Sequence, residues 1–379
     1  MKRRPFAVVV ATAWLAACGG GGASPDSPPA RWASLGELPA PEALPVNHTP
    51  LVVSGDALYV GTADGVWRRA LADGDVWSRA GLAGFRVYAL RASPAGGTTL
   101  LAGGAPALPS GPTFYRSDDL GQHWTAAQSW YRPPTSGGVA PIYDLAILPA
   151  DPRVLFAAID GSLAASSDGG MTWALTNGQT EASIGSPCVL AFSTGHPAYL
   201  VVGCEQPLDF AYLGSATVDP ADPLAPGQPG PWYLGTDVLS NRRPNALELP
   251  PAEPGTVYAG VEGALLAVTA AGGEWIFSGG EPQSPWPYAY VTAIWVDPAD
   301  RDHLIFGGKP NAVDSRLSLF ETRDRGATLE RVAPPRPFTD PAVVQLAADG
   351  ANGLVVLISD GDGSGTTARR LYAYRLATG

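Results

Sequence analysis

Four acidic residues of this chain each follow an apolar segment and each precede a glycine. They are Asp64, Asp160, Glu262 and Asp360. Two carboxyl groups with suitable separation and different pKa values can divide the acid and base roles of glycoside hydrolysis, and Asp160 and Glu262 are the first pair to consider. Asp-Gly is also common in β-hairpin turns, because the tight turn needs positive φ. We favour the turn interpretation and predict no catalytic residue.

Aromatic residues cluster in two loop-like stretches, where rigid rings could stack on sugar faces or hold apolar groups of a protein partner. The predicted ligand-binding residues are Trp130, Tyr131, Arg132, Trp286, Tyr288 and Tyr290. The alternative is that these rings pack inside the domain or fix their own loops. Between the two clusters, the Pro-, Gly- and Asp-rich residues 205–231 are predicted to form a lid or lobe, with Phe210 and Tyr212 near its start.

Other kinds of site find little support in the sequence. The four histidines are scattered without metal-ligand spacing, and no glycine-rich phosphate loop or nucleophile elbow is present. We therefore predict no metal and no cofactor. The net charge is −11 with only 24 lysine and arginine residues. Most of such a surface would repel a phosphate backbone, which argues against a nucleic-acid partner.

The pattern Ser-x-Asp-x-Gly-x-x-Trp describes a turn in which the carboxylate caps backbone N–H groups, the glycine allows positive φ and the tryptophan opens the next strand. Two full copies contain Ser117, Asp119, Gly121 and Trp124, then Ser166, Asp168, Gly170 and Trp173, and a decayed copy contains Thr322, Asp324, Gly326 and Leu329. The pattern resembles the Asp-box, or bacterial neuraminidase (BNR) repeat, of sialidase-like β-propellers. The resemblance implies a structural role for these residues, on the face of the propeller away from any ligand.

Internal repeats agree with this resemblance. An apolar strand, a turn and a second apolar strand recur at intervals of about 49 residues, close to the spacing of propeller blades, with anchors at Leu51, Leu90, Leu145, Leu190, Leu247, Ile294 and Leu346. The seventh repeat lacks a fourth strand, and residues 31–36 resemble one. We predict an all-β fold for residues 31–379, a seven-bladed β-propeller of four-stranded antiparallel blades, with the N-terminal strand closing the last blade.

The third repeat narrows the resemblance. It consists of two strands joined by a Pro-Ala-Asp-Pro turn and followed by a box. This arrangement resembles the repeats of three seven-bladed families: xyloglucanase-type glycosidases, sortilin-type receptor domains and photosystem II assembly factors. Sialidases match less well, because they have six blades and Phe85-Arg86-Val87-Tyr88 lacks the proline of their Phe/Tyr-Arg-Ile-Pro motif. Xyloglucanases work in a cleft between two propellers, and neither of their catalytic aspartates can be placed on this chain. The assembly factors include lipid-anchored propellers that bind proteins.

The N-terminus resembles a bacterial lipoprotein signal. Three basic residues precede an apolar run, and Leu15-Ala16-Ala17-Cys18 looks like a lipobox. The resemblance implies a signal peptide over residues 1–18, lipidation of Cys18 and a flexible Gly/Ser/Pro tether over residues 19–30. We expect an exported, lipid-anchored protein, at the outer membrane of a Gram-negative bacterium. The alternative is an ordinary cleaved signal with an incidental cysteine.

The two remaining cysteines are symmetrically placed around a predicted hairpin turn. Cys188 and Cys204 each lie eight residues from His196, so antiparallel strands would bring them face to face. We predict a disulfide, which an exported compartment permits. The alternative is a pair of buried free thiols.

Together these features favour a monomeric, non-catalytic binding or assembly module. Its expected partner is an envelope protein or a polysaccharide, and it contacts the membrane only through the lipid anchor. The alternative function is a glycoside hydrolase, xyloglucanase-like or sialidase-like, that uses carboxylates on the loop-rich face of the propeller.

Overall fold

The computed structural model describes residues 31–42, 50–72, 74–93, 97–108, 110–127, 140–159, 162–176, 188–194, 197–206, 210–225, 227, 230–234, 239, 242–278, 289–310, 316–350, 353–362 and 369–378. Trp32–Gly379 form one compact unit. Cys18 and the predicted signal and tether (residues 1–18 and 19–30) lie outside the described residues. No helix within the described ranges is long and apolar enough to cross a membrane.

The chain forms seven antiparallel sheets, which we call blades one to seven in chain order. Blades one to three each have four strands. Blade one has β2 (Leu51–Ser54), β3 (Ala57–Thr62), β4 (Gly65–Ala70) and β5 (Ser78–Gly81). Blade two has β6 (Arg86–Ala92), β7 (Leu100–Ala105), β8 (Phe114–Ser117) and β9 (Thr125–Ala126), and blade three has β10 (Asp144–Ile147), β11 (Leu155–Ile159), β12 (Ser162–Ser166) and β13 (Ala174–Leu175).

The other four blades complete the set. Blade four has β14 (Cys188–Phe192), β15 (Tyr199–Gln206) and β16 (Phe210–Thr217), and blade five has β17 (Ala246–Glu248), β18 (Val257–Val261), β19 (Ala264–Thr269) and β20 (Gly272–Ser278). Blade six has β21 (Ala289–Val296), β22 (Leu304–Pro310), β23 (Leu319–Thr322) and β24 (Glu330–Arg331). Blade seven has β25 (Asp340–Ala348), β26 (Gly353–Gly361), β27 (Arg370–Ala377) and the N-terminal strand β1 (Trp32–Glu37).

The first strand of every blade is innermost. Each of these strands contacts the first strand of the next blade, and β25 of blade seven contacts β2 of blade one. The seven inner strands therefore form a closed ring around a central channel. The predicted all-β, seven-bladed propeller is confirmed.

The N-terminal strand closes blade seven as predicted. β1 pairs with β27 from Trp32 opposite Leu376 to Glu37 opposite Tyr372, and the side chain of Leu35 is buried at 3% exposure. Two indole N–H groups hold β1 in place: Trp77 of blade one donates to the carbonyl of Leu35 at 3.0 Å, and Trp32 itself donates to Ala333 at 2.8 Å. β1 of blade seven is thus bonded to blade one through Trp77 and to blade six through Ala333. It also covers the edge of β27, which would otherwise be open.

Blade four departs from the sequence prediction. Residues 205–231 were expected to form a lid or lobe, but β16 within them is the third strand of the blade and pairs with β15 from Phe210 to Thr217. The fourth-strand position is held by a single bridge between Leu213 and Leu234. The proline and glycine content of this stretch concealed a regular strand, because most of those residues lie after β16, although Gly214 is within it.

Neighbouring blades pack closely where the second strand of one blade meets the start of the next. Five blades have a glycine at the same register position of the second strand, and a Cβ built there would lie 2.5–2.8 Å from a side chain at the start of the following blade. The five are Gly61, Gly103, Gly203, Gly260 and Gly307. Blade three has Ala158 and blade seven has Leu357 at this register. The apolar core lies mainly between blades, with Phe114 of blade two packed in one cluster with Leu155 of blade three.

The close approach predicts a cost for a single methyl group. In Gly260→Ala the new Cβ would lie 2.7 Å from both Cγ1 and the carbonyl oxygen of Val291, so we expect a loss of about 1 to 3 kcal/mol in the free energy of unfolding. Gly255→Ala is the control in the same blade, because no atom lies within 4 Å of its built Cβ, and we expect a change within about 0.5 kcal/mol. Urea denaturation measures both. Equal midpoints for the two variants would contradict the packing argument.

Candidate functional site

The three box turns connect the third and fourth strands of blades two, three and six. In the first, Ser117 Oγ donates to Asp119 Oδ1 at 2.8 Å and accepts the N–H of Gly121 at 2.8 Å. Thr322 makes the corresponding two bonds in the third copy, each at 2.8 Å. The decayed copy therefore keeps the whole turn although Leu329 replaces the tryptophan.

The box carboxylates are acceptors for the residues that follow them. Asp119 accepts the backbone N–H of His123 at 2.8 Å, and Asp168 and Asp324 each accept both a backbone N–H and a hydroxyl from a threonine four residues on. The backbone N–H and ring of His123 lower the pKa of Asp119 to about 2. The pKa of Asp324 is lowered mainly by the Thr328 hydroxyl. For Asp168, burial opposes the shift, yet the bonds from Thr172 still lower its pKa.

The box side chains also fasten each blade to the preceding one. The indole N–H of Trp124 donates to the carbonyl of Ala80 in blade one at 2.8 Å. The ring of Trp173 lies edge-on to Phe114 of blade two, with centroids 5.1 Å apart. In antiparallel four-stranded blades these turns lie at the opposite end from the turns between second and third strands. The boxes therefore lie at the opposite end of the blades from Asp64, Glu262 and Asp360, which stand at or just after the ends of second strands.

Two of those four acids hold neighbouring loops. Asp64 pairs with Arg79 at 2.6 Å and accepts the N–H of Gly84 at 2.8 Å, and its pKa is lowered, chiefly by the bond from Arg79. Asp360 accepts the N–H groups of Thr339 and Asp340 at 3.0 and 2.9 Å. Asp64 thus ties the turn after β3 to the loop that enters β6, whereas Asp360, which lies within β26 rather than in a turn, caps the start of β25 in its own blade.

Glu262 is the third of these acids. It is half-buried and forms a backbone bridge to Tyr290 of blade six, and its side chain has no ion pair or hydrogen bond among the described residues. Asp160 lies outside the described residues, so its separation from Glu262 is not defined. Of the six predicted ligand-binding residues only Tyr290, which is half-buried, is described. The others, Trp130, Tyr131, Arg132, Trp286 and Tyr288, fall outside the described ranges.

The central channel contains a cavity of about 100 Å³ between the inner strands. Its polar and charged lining residues come from five blades: Arg91, Asp144, Asn245, Glu248, Thr292 and Gln345. None of them was a predicted site residue. The cavity exists because the inner strands of a ring cannot all meet at its centre.

Asp144 joins three blades at the wall of this cavity. Its Oδ1 pairs with the guanidinium of Arg91 in blade two. The same oxygen accepts the backbone N–H of the next residue, Leu145, at 2.8 Å. Its Oδ2 accepts the N–H of Leu190 in blade four at 2.8 Å. The carboxylate is thus fully used in holding the ring.

Glu248 is the other channel carboxylate, and it is treated differently by its surroundings. Its side chain has no ion pair or hydrogen bond among the described residues, although its backbone pairs with Tyr258. Desolvation inside the channel raises its pKa to about 7, although part of its surface still faces the cavity. An acid with such a pKa changes charge near neutrality.

Neither described histidine, His123 or His303, creates a further site. His303 is buried and links Asp297 at 3.0 Å to Glu321 at 2.9 Å, and Arg323 also reaches Glu321 at 2.9 Å. His303 thus joins two carboxylates of blade six through its two ring nitrogens. Among the described residues no group of three or more His, Cys, Asp or Glu side chains could hold a metal ion.

The cysteines of blade four lie at one end of the inner strand pair. Cys188 and Cys204 are directly opposite in β14 and β15, with Cα atoms 4.3 Å apart, and are joined by a disulfide. Both are completely buried. The bond crosses the two strands nearest the channel.

Sequence reasoning missed the channel residues because they follow no motif. One signal was present. Asp144 and Glu248 stand next to the apolar anchors Leu145 and Leu247 of inner strands, where a charged residue must find a partner or carry a desolvation cost. An alignment of the seven anchors would have isolated both.

Comparisons with known proteins place the fold. No family model and no curated protein matches the chain. The GH74 xyloglucanase of Xanthomonas campestris is similar in structure, with a TM-score of 0.58 and 18% identity over 90% of this chain and 55% of the enzyme. A YCF48 structure bound to a D1 peptide has a TM-score of 0.56 and 12% identity over 92% of this chain and 96% of its own.

A third structural neighbour is an extracellular domain. That domain, of the putative one-component system BT4673 from B. thetaiotaomicron, has a TM-score of 0.53 and 13% identity over 89% of this chain and 40% of its own. The chain thus spans about half of the xyloglucanase and two fifths of this extracellular domain. At these identities the likenesses establish the propeller fold alone.

The box carboxylates predict a loss of stability in acid. Because the folded-state pKa values of Asp119 and Asp324 are lowered, their contribution is complete above the ordinary carboxyl pKa of about 4 and is lost as pH falls towards 2. In the variant with Asp119→Asn and Asp324→Asn, we expect a flatter dependence of the thermal midpoint on pH between 5 and 2. Asp222→Asn, at an exposed loop position, is the control. Parallel curves for all three proteins would refute the assignment.

The Asp144 contacts predict a large effect of one carboxylate. Asp144→Ala would leave Arg91 and the N–H of Leu190 without their partner, and we expect a loss of about 3 to 5 kcal/mol in unfolding free energy. The control is Asp118→Ala in blade two, which removes an exposed carboxylate that pairs with Arg116. We expect it to lower the free energy of unfolding by less than about 1 kcal/mol. Urea denaturation compares them. A similar cost for both would mean that Asp144 does not join the blades.

Proposed function

We propose that this protein is an exported, lipid-anchored propeller that binds an envelope partner without chemical turnover. The partner class that we place first is a protein, and a polysaccharide is the second. The lipid anchor at Cys18 is part of the proposal and rests on the signal-like sequence before it.

One observation carries the non-catalytic assignment. Two of the four acids considered for hydrolysis accept backbone N–H groups: Asp64 from Gly84 in the loop before β6, and Asp360 from Thr339 and Asp340 at the start of β25. For Asp64, the bonds from Arg79 and Gly84 lower the pKa and stabilise the ionised form, which makes this side chain a poor proton donor. The same bonds give both side chains a sufficient structural role.

One structural neighbour also supports a binding role. The YCF48 propeller with a D1 peptide is matched over 96% of its length, so a single propeller of this size is enough to hold a peptide there. The xyloglucanase is matched over 55% of its length, and a hydrolase of that type has a second part that this chain does not align with.

The surface between blades five and six is our candidate contact region. Glu262 and Tyr290 are joined there by a backbone bridge, which places an unengaged carboxyl group beside an aromatic ring. Trp286, Tyr288, Trp130, Tyr131 and Arg132, the other residues proposed for ligand binding, lie outside the described residues and remain part of the proposal on the sequence alone. Aromatic and charged groups of this kind are frequent anchors at protein interfaces.

Capture of partners tests the binding proposal. The immobilised full chain is incubated with an envelope extract, retained proteins are identified by mass spectrometry, and affinity is then measured by surface plasmon resonance. We expect Tyr290→Ala to weaken binding by at least about tenfold, since a hot-spot aromatic contributes roughly 2 kcal/mol or more. Tyr233→Ala removes a tyrosine that is 70% exposed elsewhere on the molecule and serves as the matched control. Retention of full affinity by Tyr290→Ala would exclude this surface.

The hydrolase alternative keeps two supports. Glu262 has no described partner, and the xyloglucanase is among the structural neighbours. Release of reducing ends from xyloglucan and from sialylated oligosaccharides tests it directly. We expect no release above background. Hydrolysis that disappears in Glu262→Gln would overturn the non-catalytic assignment, and a glycan retained without hydrolysis would replace the protein partner by a polysaccharide.

A further inference from the structure

The channel cavity is a second place where a ligand could bind, separate from the outer surface discussed above. It is lined by residues of the inner strands of several blades and has a volume of about 100 Å³. Since one water molecule occupies about 30 Å³ of liquid, the space is sufficient for a group of a few non-hydrogen atoms. Its ligand must therefore be small or be the tip of a longer side chain.

Most polar side chains of the cavity wall already have partners. Arg91 and Asp144 pair with each other, Asn245 exchanges hydrogen bonds with Arg243, and the hydroxyl of Thr292 donates to the carbonyl of Val343 at 2.7 Å. Glu248 and Gln345 also line the cavity and have no hydrogen bond among the described residues. These two side chains are the free recognition groups of the cavity.

The carboxyl group of Glu248 indicates the charge of a ligand. Its strand neighbour Tyr258 directs its hydroxyl to Glu253 at 2.8 Å, and the Arg91 guanidinium is committed to Asp144. No cation of the described chain therefore compensates Glu248. An ionised carboxylate in an enclosed site is costly unless a positive group accompanies it.

We propose that the channel cavity binds a primary ammonium group, which donates hydrogen bonds to the Glu248 carboxylate and to the side-chain oxygen of Gln345. The single positive charge matches the single unpaired carboxylate. A divalent metal fits less well, since Ca²⁺ takes six to eight oxygen ligands and the described residues contain no cluster of three candidate ligands. The ammonium group belongs either to a free small amine or to a lysine side chain of a partner.

Binding of this kind depends on pH with a defined sign. The ligand requires ionised Glu248, whose pKa is raised to about 7 by burial, whereas an alkylammonium group keeps its charge up to about pH 10. Affinity should therefore fall by about tenfold from pH 8 to pH 6. The other charged groups of the cavity wall, Arg91 and Asp144, are paired with each other and are not expected to contribute to this change.

Isothermal titration of the full chain with methylammonium chloride tests the site. We expect saturable binding at pH 8, loss of at least tenfold in affinity in Glu248→Gln, and unchanged affinity in Glu274→Gln, which alters an exposed acid of the same blade. Tetramethylammonium and potassium chloride are the ligand controls, since neither can donate an N–H bond. The second probe is a blocked lysine, Nα-acetyl-lysine methylamide. Tighter binding of this probe than of methylammonium would indicate a lysine side chain of a partner, and tighter binding of methylammonium would indicate a free small amine.

Three results would overturn the proposal: no binding of methylammonium or the blocked lysine at pH 8, equal binding in Glu248→Gln, or equal binding of potassium. Thermal unfolding of Glu248→Gln checks that the variant is folded, and we expect a midpoint no lower than that of the parent chain. The proposal is independent of the envelope partner, because the probes contain no protein. Failure here leaves the capture experiment, and its outcome, unchanged.

Discussion

The close approach of neighbouring blades at the second-strand glycines is the constraint on which the rest of this structure depends. Seven inner strands can form a ring only if each blade lies directly against the next, and at five junctions this leaves no room for a Cβ atom. Close contact brings the inner strands within hydrogen-bonding reach across blades, as Asp144 shows with Leu190. It also determines that the core lies between blades, so no blade is stable as an independent unit.

The outer part of the ring is held by a different device. Each box turn carries its own hydrogen-bond network, and its side chains reach back to the preceding blade. The third copy retains the network without a tryptophan, which separates the two tasks of the motif: the hydroxyl and carboxylate build the turn, and the large apolar side chain fills the gap between blades. A motif with this purely mechanical role is compatible with many functions, so its presence says little about activity.

Two carboxylates of the channel illustrate how position decides chemistry. Asp144 receives a guanidinium and two backbone N–H groups and is a fully engaged structural acid. Glu248 receives none of these and, through desolvation, becomes an acid that titrates near neutrality. The difference does not come from residue type. It comes from which groups of the neighbouring blades face each inner strand.

The amino-acid sequence by itself determined the number of blades and the box turns, because each depends on a periodicity or spacing within about fifty residues. The strand that closes the ring was predictable because the seventh repeat lacks a fourth strand and residues 31–36 resemble one, although its partner strand is more than 300 residues away. Sequence reasoning misjudged residues 205–231, where turn-forming residues surround β16 and hide its strand pattern. Only the tertiary structure decided which acids are engaged. Arg91, Asp144 and Leu190 come from three different blades. The Glu248 side chain has no partner because the polar groups around the channel bind other residues. Such pairings depend on how the ring brings distant segments together, and no local pattern in the chain records that geometry.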